Sequence, residues 1–174
     1  EVYAKQFAWQ ARYAGADNTL GLGNVNFIDE TNNPIGVDLS DPASLDDKPV
    51  TELHLPKGKK VLFKFRSQDV LHSAYMPHFR AQMNCVPGMV TQFAFTPKYT
   101  TEEMREQSEV MDKVRGINKI RSEKGEDLYE FDYVLLCNKI CGASHYSMQM
   151  KIVVEEEEDY KQRLAEQPTF AEKL

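Results

Sequence analysis

Apolar side chains alternate with polar ones along most of this chain, in runs that are short and separated by turn residues. The first run, VYAKQFAWQARY, reads as an aromatic strand over residues 2–13 carrying Phe7, Trp9 and Tyr13. HLPKGKKVLFKFRS supplies a turn at residues 56–58, then a strand in which Val61, Phe63 and Phe65 point to one face. MNCVPGMVTQFAFTP supplies a turn at residues 87–88 and a strand with Phe93 and Phe95. YEFDYVLLC, residues 129–137, and QMKIVVE, residues 149–155, are two further β-rich runs. Residues 14–50 hold Gly, Asn, Asp and Pro clusters and read as loop. Two segments change period. Residues 100–124 open on Thr with early Glu and place Met104, Met111, Val114 and Ile117 at helical spacings, which predicts an inserted helix. Residues 156–174 read as a polar terminal helix and tail. Many short strands with few helices predict an all-β fold, an antiparallel β-sandwich forming one domain over residues 1–174.

Charge and length narrow the classes. A chain of 174 residues fits one domain with a real core. Its formal net charge of −6 excludes a nucleic-acid role and favours basic protein partners. No apolar run approaches the roughly 18 residues that a membrane span needs. The chain starts EVYAKQF, without an initiator Met or a cleavable apolar leader, as expected of a processed fragment.

Three cysteines make no disulfide framework, but two of them fall in one short segment, CNKICGASHYSM. Cys137, Cys141, His145 and Met148 follow one another at intervals of four, four and three, between two β-rich runs. That places them in a loop at one end of the sandwich. Thiolate and thioether are soft donors and imidazole is borderline, a mixture that suits copper. A mononuclear blue-copper site takes one Cys, two His and a weak axial Met. His72, in SQDVLHSAY, is the candidate distant histidine. The second cysteine is then surplus for one ion. It finds a use if Cys137 and Cys141 bridge two coppers, each taking one imidazole from His72 or His145, with Met148 as an outer ligand. A disulfide, a Cys2His2 zinc site and a thiol redox pair remain open for the cysteines alone. The full set with Met148 and His72 favours copper. Cys85 reads as a small buried hydrophobe. Met76, His78 and Met83 read as packing residues or a weak secondary copper contact, and His54 has no companion donors in the sequence.

LCNKICGASHYSM together with SQDVLHSAYMPHFRAQMNCVPGM resembles the CuA domain of cytochrome c oxidase subunit II, in the haem-copper oxidase family. The resemblance rests on DVLHS, on a Pro-Gly turn about 15 residues beyond its histidine, and on CxxxCGxxHxxM, and it covers most of residues 60–155. It implies a cupredoxin-like Greek-key β-sandwich. It also implies two copper ions held by His72, Cys137, Cys141, His145 and Met148, with the backbone carbonyl of Lys139 as a further ligand. The family usually has Glu where Lys139 stands, and that carboxylate reaches a magnesium ion. Lys139 cannot bind magnesium, so none is expected from this chain. Family members often read Q-W-x-W where this chain has QFAW, so Phe7 stands at the position that receives electrons and Trp9 matches the second tryptophan. The implied function is electron transfer from a c-type cytochrome to haem in the catalytic subunit I of the oxidase. The implied setting is the periplasmic face of a bacterial inner membrane, with anchoring helices upstream of Glu1. Similar loops occur in the CuA domain of nitrous oxide reductase, and a copper-delivery role or a mononuclear carrier is the alternative class.

Overall fold

A computed structural model describes residues 1–173, and Leu174, the last residue of the expected tail, lies outside the described residues. Ten strands form two five-stranded sheets facing each other. The first sheet holds β1 (Val2–Lys5), β2 (Ala8–Tyr13), β3 (Lys48–Val50), β5 (Val61–Ser67) and β8 (Thr91–Phe95), in the order β3-β2-β1-β5-β8. The second holds β4 (Leu53–Pro56), β6 (His72–Met76), β7 (Ala81–Cys85), β9 (Tyr133–Cys137) and β10 (Gln149–Glu155), in the order β4-β10-β9-β6-β7. Alternation does the work expected of it. Phe63 and Phe65 of β5 and Leu135, Ile152 and Val154 of the facing sheet are all buried in one core between the layers.

Three expectations need correction. The sheets are mixed rather than antiparallel, because β1 runs parallel to β5 and β4 runs parallel to β10. Both parallel pairs join strands distant in sequence, and periodicity carries no record of strand direction. The aromatic run at 2–13 is two strands, not one: β1 and β2 form an antiparallel hairpin that turns at Gln6 and Phe7. The expected helix over 100–124 is two helices, α2 (Thr101–Arg105) and α3 (Ser108–Glu123). Thr100 and Glu103 cap α2 reciprocally, which is the capping box its sequence announces. Two short helices, α4 (Glu157–Glu166) and α5 (Phe170–Lys173), make up the end of the chain. Residues 14–50 are mostly loop as expected, interrupted by a 3-10 turn at Val25–Phe27, one short α-helix, α1 (Pro42–Leu45), and the strand β3 at its end. No helix among the described residues is long and apolar enough to cross a membrane.

The loop of residues 14–47 covers the outer face of the first sheet, where Tyr3, Ile35, Val37 and Phe170 form a small second core. Beside it Arg12 is almost wholly buried. Its guanidinium donates to Glu1 Oε2 at 2.7 Å, to Asp47 Oδ2 at 2.8 Å and to the Gly21 carbonyl at 2.6 Å. Lone buried charges are costly, and this one is tolerable because two carboxylates and a carbonyl surround it.

Replacing Arg12 with Met should therefore lower unfolding free energy by about 3–5 kcal/mol, read from the urea midpoint, because Asp47 is left buried without its cation and Glu1 keeps only Arg66. Acid should act through Glu1. Burial works against its charge, but bonds from Arg66, Tyr3 and Arg12 outweigh that and hold its pKa down at about 2, against 4.5 in the free side chain. Its contribution is full above about pH 4.5 and is lost as pH falls towards 2, a difference of about 3 kcal/mol. Asp47 runs the other way: burial outweighs Arg12 and pushes its pKa up to about 6, so its protonation favours the fold between about pH 6 and 4. Urea titrations across this range should show the loss confined below pH 4.5, and Glu1→Gln should flatten that limb.

Candidate metal centre

The cysteine loop joins β9 to β10, which are adjacent antiparallel strands, so both ends of the loop are fixed by one ladder. Cys137 is the last residue of β9 and Met148 immediately precedes β10, with the Cys137 N–H donating to the Met148 carbonyl at 3.1 Å. Asn138 N–H donates to the Ser73 carbonyl on β6 at 2.9 Å, which draws the loop towards the strand that opens with His72. A single 3-10 turn, His145–Ser147, brings the loop back. Its Met148 N–H donates to the His145 carbonyl at 3.2 Å, so the histidine and the methionine are set by the same turn.

All the side chains expected at a metal converge here. His72 Nδ1 lies 3.7 Å from Cys137 Sγ, Cys137 Sγ 3.8 Å from Cys141 Sγ, and Cys141 Sγ 3.6 Å from His145 Nδ1. Met148 Sδ is 3.9 Å from Cys141 Sγ, and the Lys139 carbonyl oxygen is 3.3 Å from Cys137 Sγ. The donor atoms of His72, Cys137 and Cys141 all lie within 4.8 Å of one another. His145 stands outside that tight group, beyond Cys141. Followed by contact, the four strong donors form a row in the order His72, Cys137, Cys141, His145, bent so that the His72 imidazole stays close to both thiols. No disulfide joins the cysteines, since the sulfurs are nearly twice the S–S bond length apart. His72 and Met148 are buried, whereas His145 is partly exposed. Ile140 and Tyr146, on the same loop, are 86% and 88% exposed. Burial, and then the hydrogen bond and charge of Cys137, push the Cys141 thiol up to about 11.

Three supporting residues carry no role in the sequence reading. Asp69 Oδ1 is 2.8 Å from His72 Nε2, which fixes that ring so that Nδ1 faces the sulfurs. Burial opposes the charge of Asp69, but hydrogen bonds from Gln6 N–H, His72 and Val70 N–H outweigh it and lower its pKa. Gln6 donates its side-chain amide to the Cys141 carbonyl. Gly142 leaves room for the β1–β2 turn, since a Cβ there would stand 2.7 Å from the Phe7 ring. An Asp three positions before a candidate ligand is the signal that marks Asp69, whereas nothing local marks Gln6 or Gly142.

The aromatic pair parts company. Trp9 is only 5% exposed, with its ring centroid 6.3 Å from that of His72 and its Nε1–H directed at the Met148 carbonyl at 3.4 Å. Phe7 lies at the surface on Gly142. The remaining candidates stay outside the row. Cys85 faces His72 across the β6–β7 ladder, wholly buried, with its thiol pushed up to about 12 by burial. Met76 is in the core, Met83 packs against it, and His78 sits edge-on to Phe131 with centroids 4.8 Å apart. His54 lies between two carboxylates, 2.9 Å from Glu52 and 3.1 Å from Glu155.

A family model for the periplasmic domain of cytochrome c oxidase subunit II matches residues 3–118. An alternative cytochrome c oxidase subunit 2 of Bradyrhizobium diazoefficiens is 38% identical over 173 residues, or 98% of this chain and 51% of that protein. A cytochrome c oxidase subunit 2 of Thermostichus vulcanus is 26% identical over 110 residues, or 63% of this chain and 24% of that protein. The chain thus spans about half the length of the first relative and about a quarter of the second. Among solved structures, the periplasmic domain of subunit II of cytochrome oxidase of Bradyrhizobium japonicum has a TM-score of 0.53 at 16% identity, covering 94% of this chain and 88% of that one. A mixed-disulfide intermediate between a thioredoxin-like protein and subunit II of cytochrome c oxidase gives 0.50 at 18% identity, covering 94% of this chain and 85% of that one. At such identities these likenesses speak for the fold, the cupredoxin-like sandwich of subunit II. The family model includes His72 but ends before the cysteine loop, while the 38% identical relative extends across that loop as well. With residues 3–118 making up about two thirds of its length, the chain belongs to the cytochrome c oxidase subunit II family, within the part that forms the periplasmic domain.

Proposed function

We propose that this domain is a dinuclear copper electron-transfer module. It accepts electrons from a c-type cytochrome and delivers them to haem in the catalytic subunit of a cytochrome c oxidase, at the periplasmic face of the membrane. Anchoring by a segment upstream of Glu1 belongs to the same proposal. The observation that carries it is the row of donors, imidazole–thiol–thiol–imidazole. A single tetrahedral ion such as structural zinc needs its donors gathered around one point. Here His72 lies close to both sulfurs while His145 stands outside that group, beyond Cys141, and two neighbouring sulfurs with an imidazole to either side would suit two ions that share them.

In this reading His72, Cys137, Cys141 and His145 would hold the two coppers, the thiolates of Cys137 and Cys141 being shared between them, and Met148 and the Lys139 carbonyl would be weak outer ligands. Soft sulfur with imidazole is the donor chemistry of copper. When bound, two thiolate-bridged coppers supply a one-electron centre over which a single charge is shared. The chain's own residues keep that centre rigid. Asp69 holds the His72 ring, the β9–β10 ladder fixes both ends of the loop, and Trp9 closes the inner side. A site whose ligands barely move on gaining an electron has little reorganisation to overcome. Ile140 and Tyr146 give the outer side an exposed apolar rim beside His145, suited to close approach of a redox partner. Phe7 at the surface and Trp9 against His72 are the proposed receiving aromatics.

Reconstitution with copper should give two ions per chain, a purple colour and a seven-line EPR hyperfine pattern. Cys137→Ser and His72→Ala should each abolish that pattern, whereas one copper with a four-line spectrum would falsify the dinuclear assignment. Uptake should also depend on pH. The Cys141 thiol, raised to about 11, is protonated at neutral pH and must lose its proton to bind metal. Apparent affinity should therefore rise with pH between 6 and 9, by up to about tenfold per unit for each thiol proton released. Competition with a chelator of known affinity measures this, and an affinity flat in pH would show that neither thiol is a ligand.

A further inference from the structure

The donors of the row come from two parts of the chain that share no strand pairing with the β1–β2 hairpin, yet that hairpin touches both. At its turn, the Gln6 main-chain N–H donates to Asp69 Oδ2 at 2.6 Å, while Asp69 Oδ1 engages His72 Nε2 at 2.8 Å. The Gln6 side-chain amide donates to the carbonyl of Cys141. One residue therefore holds the imidazole at one end of the row through Asp69, and the inner thiol through its backbone. Three positions on, Trp9 Nε1–H is directed at the Met148 carbonyl at 3.4 Å. Phe7, between them, lies on Gly142, where absence of a Cβ lets the ring approach the residue next to Cys141.

We propose that Gln6 is a positioning residue for the metal centre: it ties the His72 segment and the Cys141 segment to a single turn, fixing how far apart their donors stand. The proposal rests on the metal-binding reading of the row. The physical case is one of leverage. Cys137 ends a strand and is held by the sheet, but Cys141 lies in the middle of an eleven-residue loop between β9 and β10, where no ladder holds it. A donor to its carbonyl fixes the peptide from which the thiol extends. Because the same residue also holds Asp69, a shift of the loop relative to His72 must break a hydrogen bond. Outer contacts of this kind typically change metal affinity by about 10–100-fold when removed.

The test uses this 174-residue chain with Gln6→Ala and Gln6→Glu. The first removes the side-chain donor; the second keeps its length but turns an acceptor towards the Cys141 carbonyl. Both retain the main-chain N–H that holds Asp69. Copper release to a chelator should quicken by about tenfold or more in both variants. The EPR hyperfine splitting and the thiolate-to-copper absorption should shift, while the urea midpoint stays that of the parent. Unchanged release and unchanged spectra in both variants overturn the proposal. So does a fall in the urea midpoint that accounts for the whole change in release, because Gln6 would then be only a hairpin residue. A metal-free arm separates this from the parent reading. Hydrogen exchange at the amides of residues 142–148 should speed up in Gln6→Ala whether or not copper is the natural metal. If the parent chain takes up no copper but exchange responds, the copper reading fails and the bracing by Gln6 stands; if exchange does not respond, the bracing fails on its own.

Discussion

Two sulfurs 3.8 Å apart, in side chains that must both become anions to bind metal, set the terms for this end of the molecule. Like charges at about 4 Å cost on the order of 4 kcal/mol even at an effective dielectric constant near 20. The protein offers them no cationic side chain within the row. Without metal the Cys141 thiol keeps its proton, as its raised pKa reflects. Only cations placed against both sulfurs let both ionise. The architecture must hold the sulfurs close enough to share such ions, but without letting them find relief by moving apart or by joining in a disulfide. That is why one cysteine sits at a strand end and the other in a loop pinned at both of its ends.

Polar groups are buried in two ways in this fold, and the difference separates structure from chemistry. Around Arg12 each charge has an opposite partner within the chain: Glu1 and Asp47 surround the guanidinium, and Arg66 reaches Glu1 from the neighbouring strand. Such a network is nearly self-sufficient, and it fastens the 14–47 loop to the back of the first sheet. At the metal end the donors mainly meet one another. His72 is satisfied on one nitrogen by Asp69 and turns the other towards sulfur. A set of donors facing donors is an incomplete interaction, and soft cations complete it.

Much of the candidate site is legible in the chain alone. The proposed loop ligands lie within twelve consecutive residues, so their spacing alone brings them together, and alternation around Phe63, Leu135 and Ile152 was enough to indicate the layered core. His72 was reachable because its motif is distinctive. The parallel pairing of β1 with β5, the hairpin turn at Gln6 and the break between α2 and α3 were not legible. Strand direction is decided by which edges meet in three dimensions, and a two-residue turn inside an aromatic run leaves the alternation almost undisturbed. Asp69 and Gln6 were missed for a related reason. A supporting residue is defined by what it touches, and Gln6 touches Cys141 across 135 positions of sequence.

Trp9 shows why position in a motif and position in space must be kept apart. Its place in QFAW groups it with Phe7 as a surface aromatic, but strand alternation turns it inward, opposite to Arg12 on the same strand. There it lies against His72 and aims its only polar atom at the Met148 carbonyl, so it touches both a buried imidazole and the chain that carries the thioether. A large rigid ring in that place excludes water from the inner side of the row, and water is what would otherwise reorganise as charge comes and goes. The outer side has no such cover, since His145 is partly exposed and flanked by Tyr146 and Ile140. The centre is therefore insulated on the side of the core and open on the side of solvent, and a partner that excludes water from that open side would complete the enclosure that Trp9 begins.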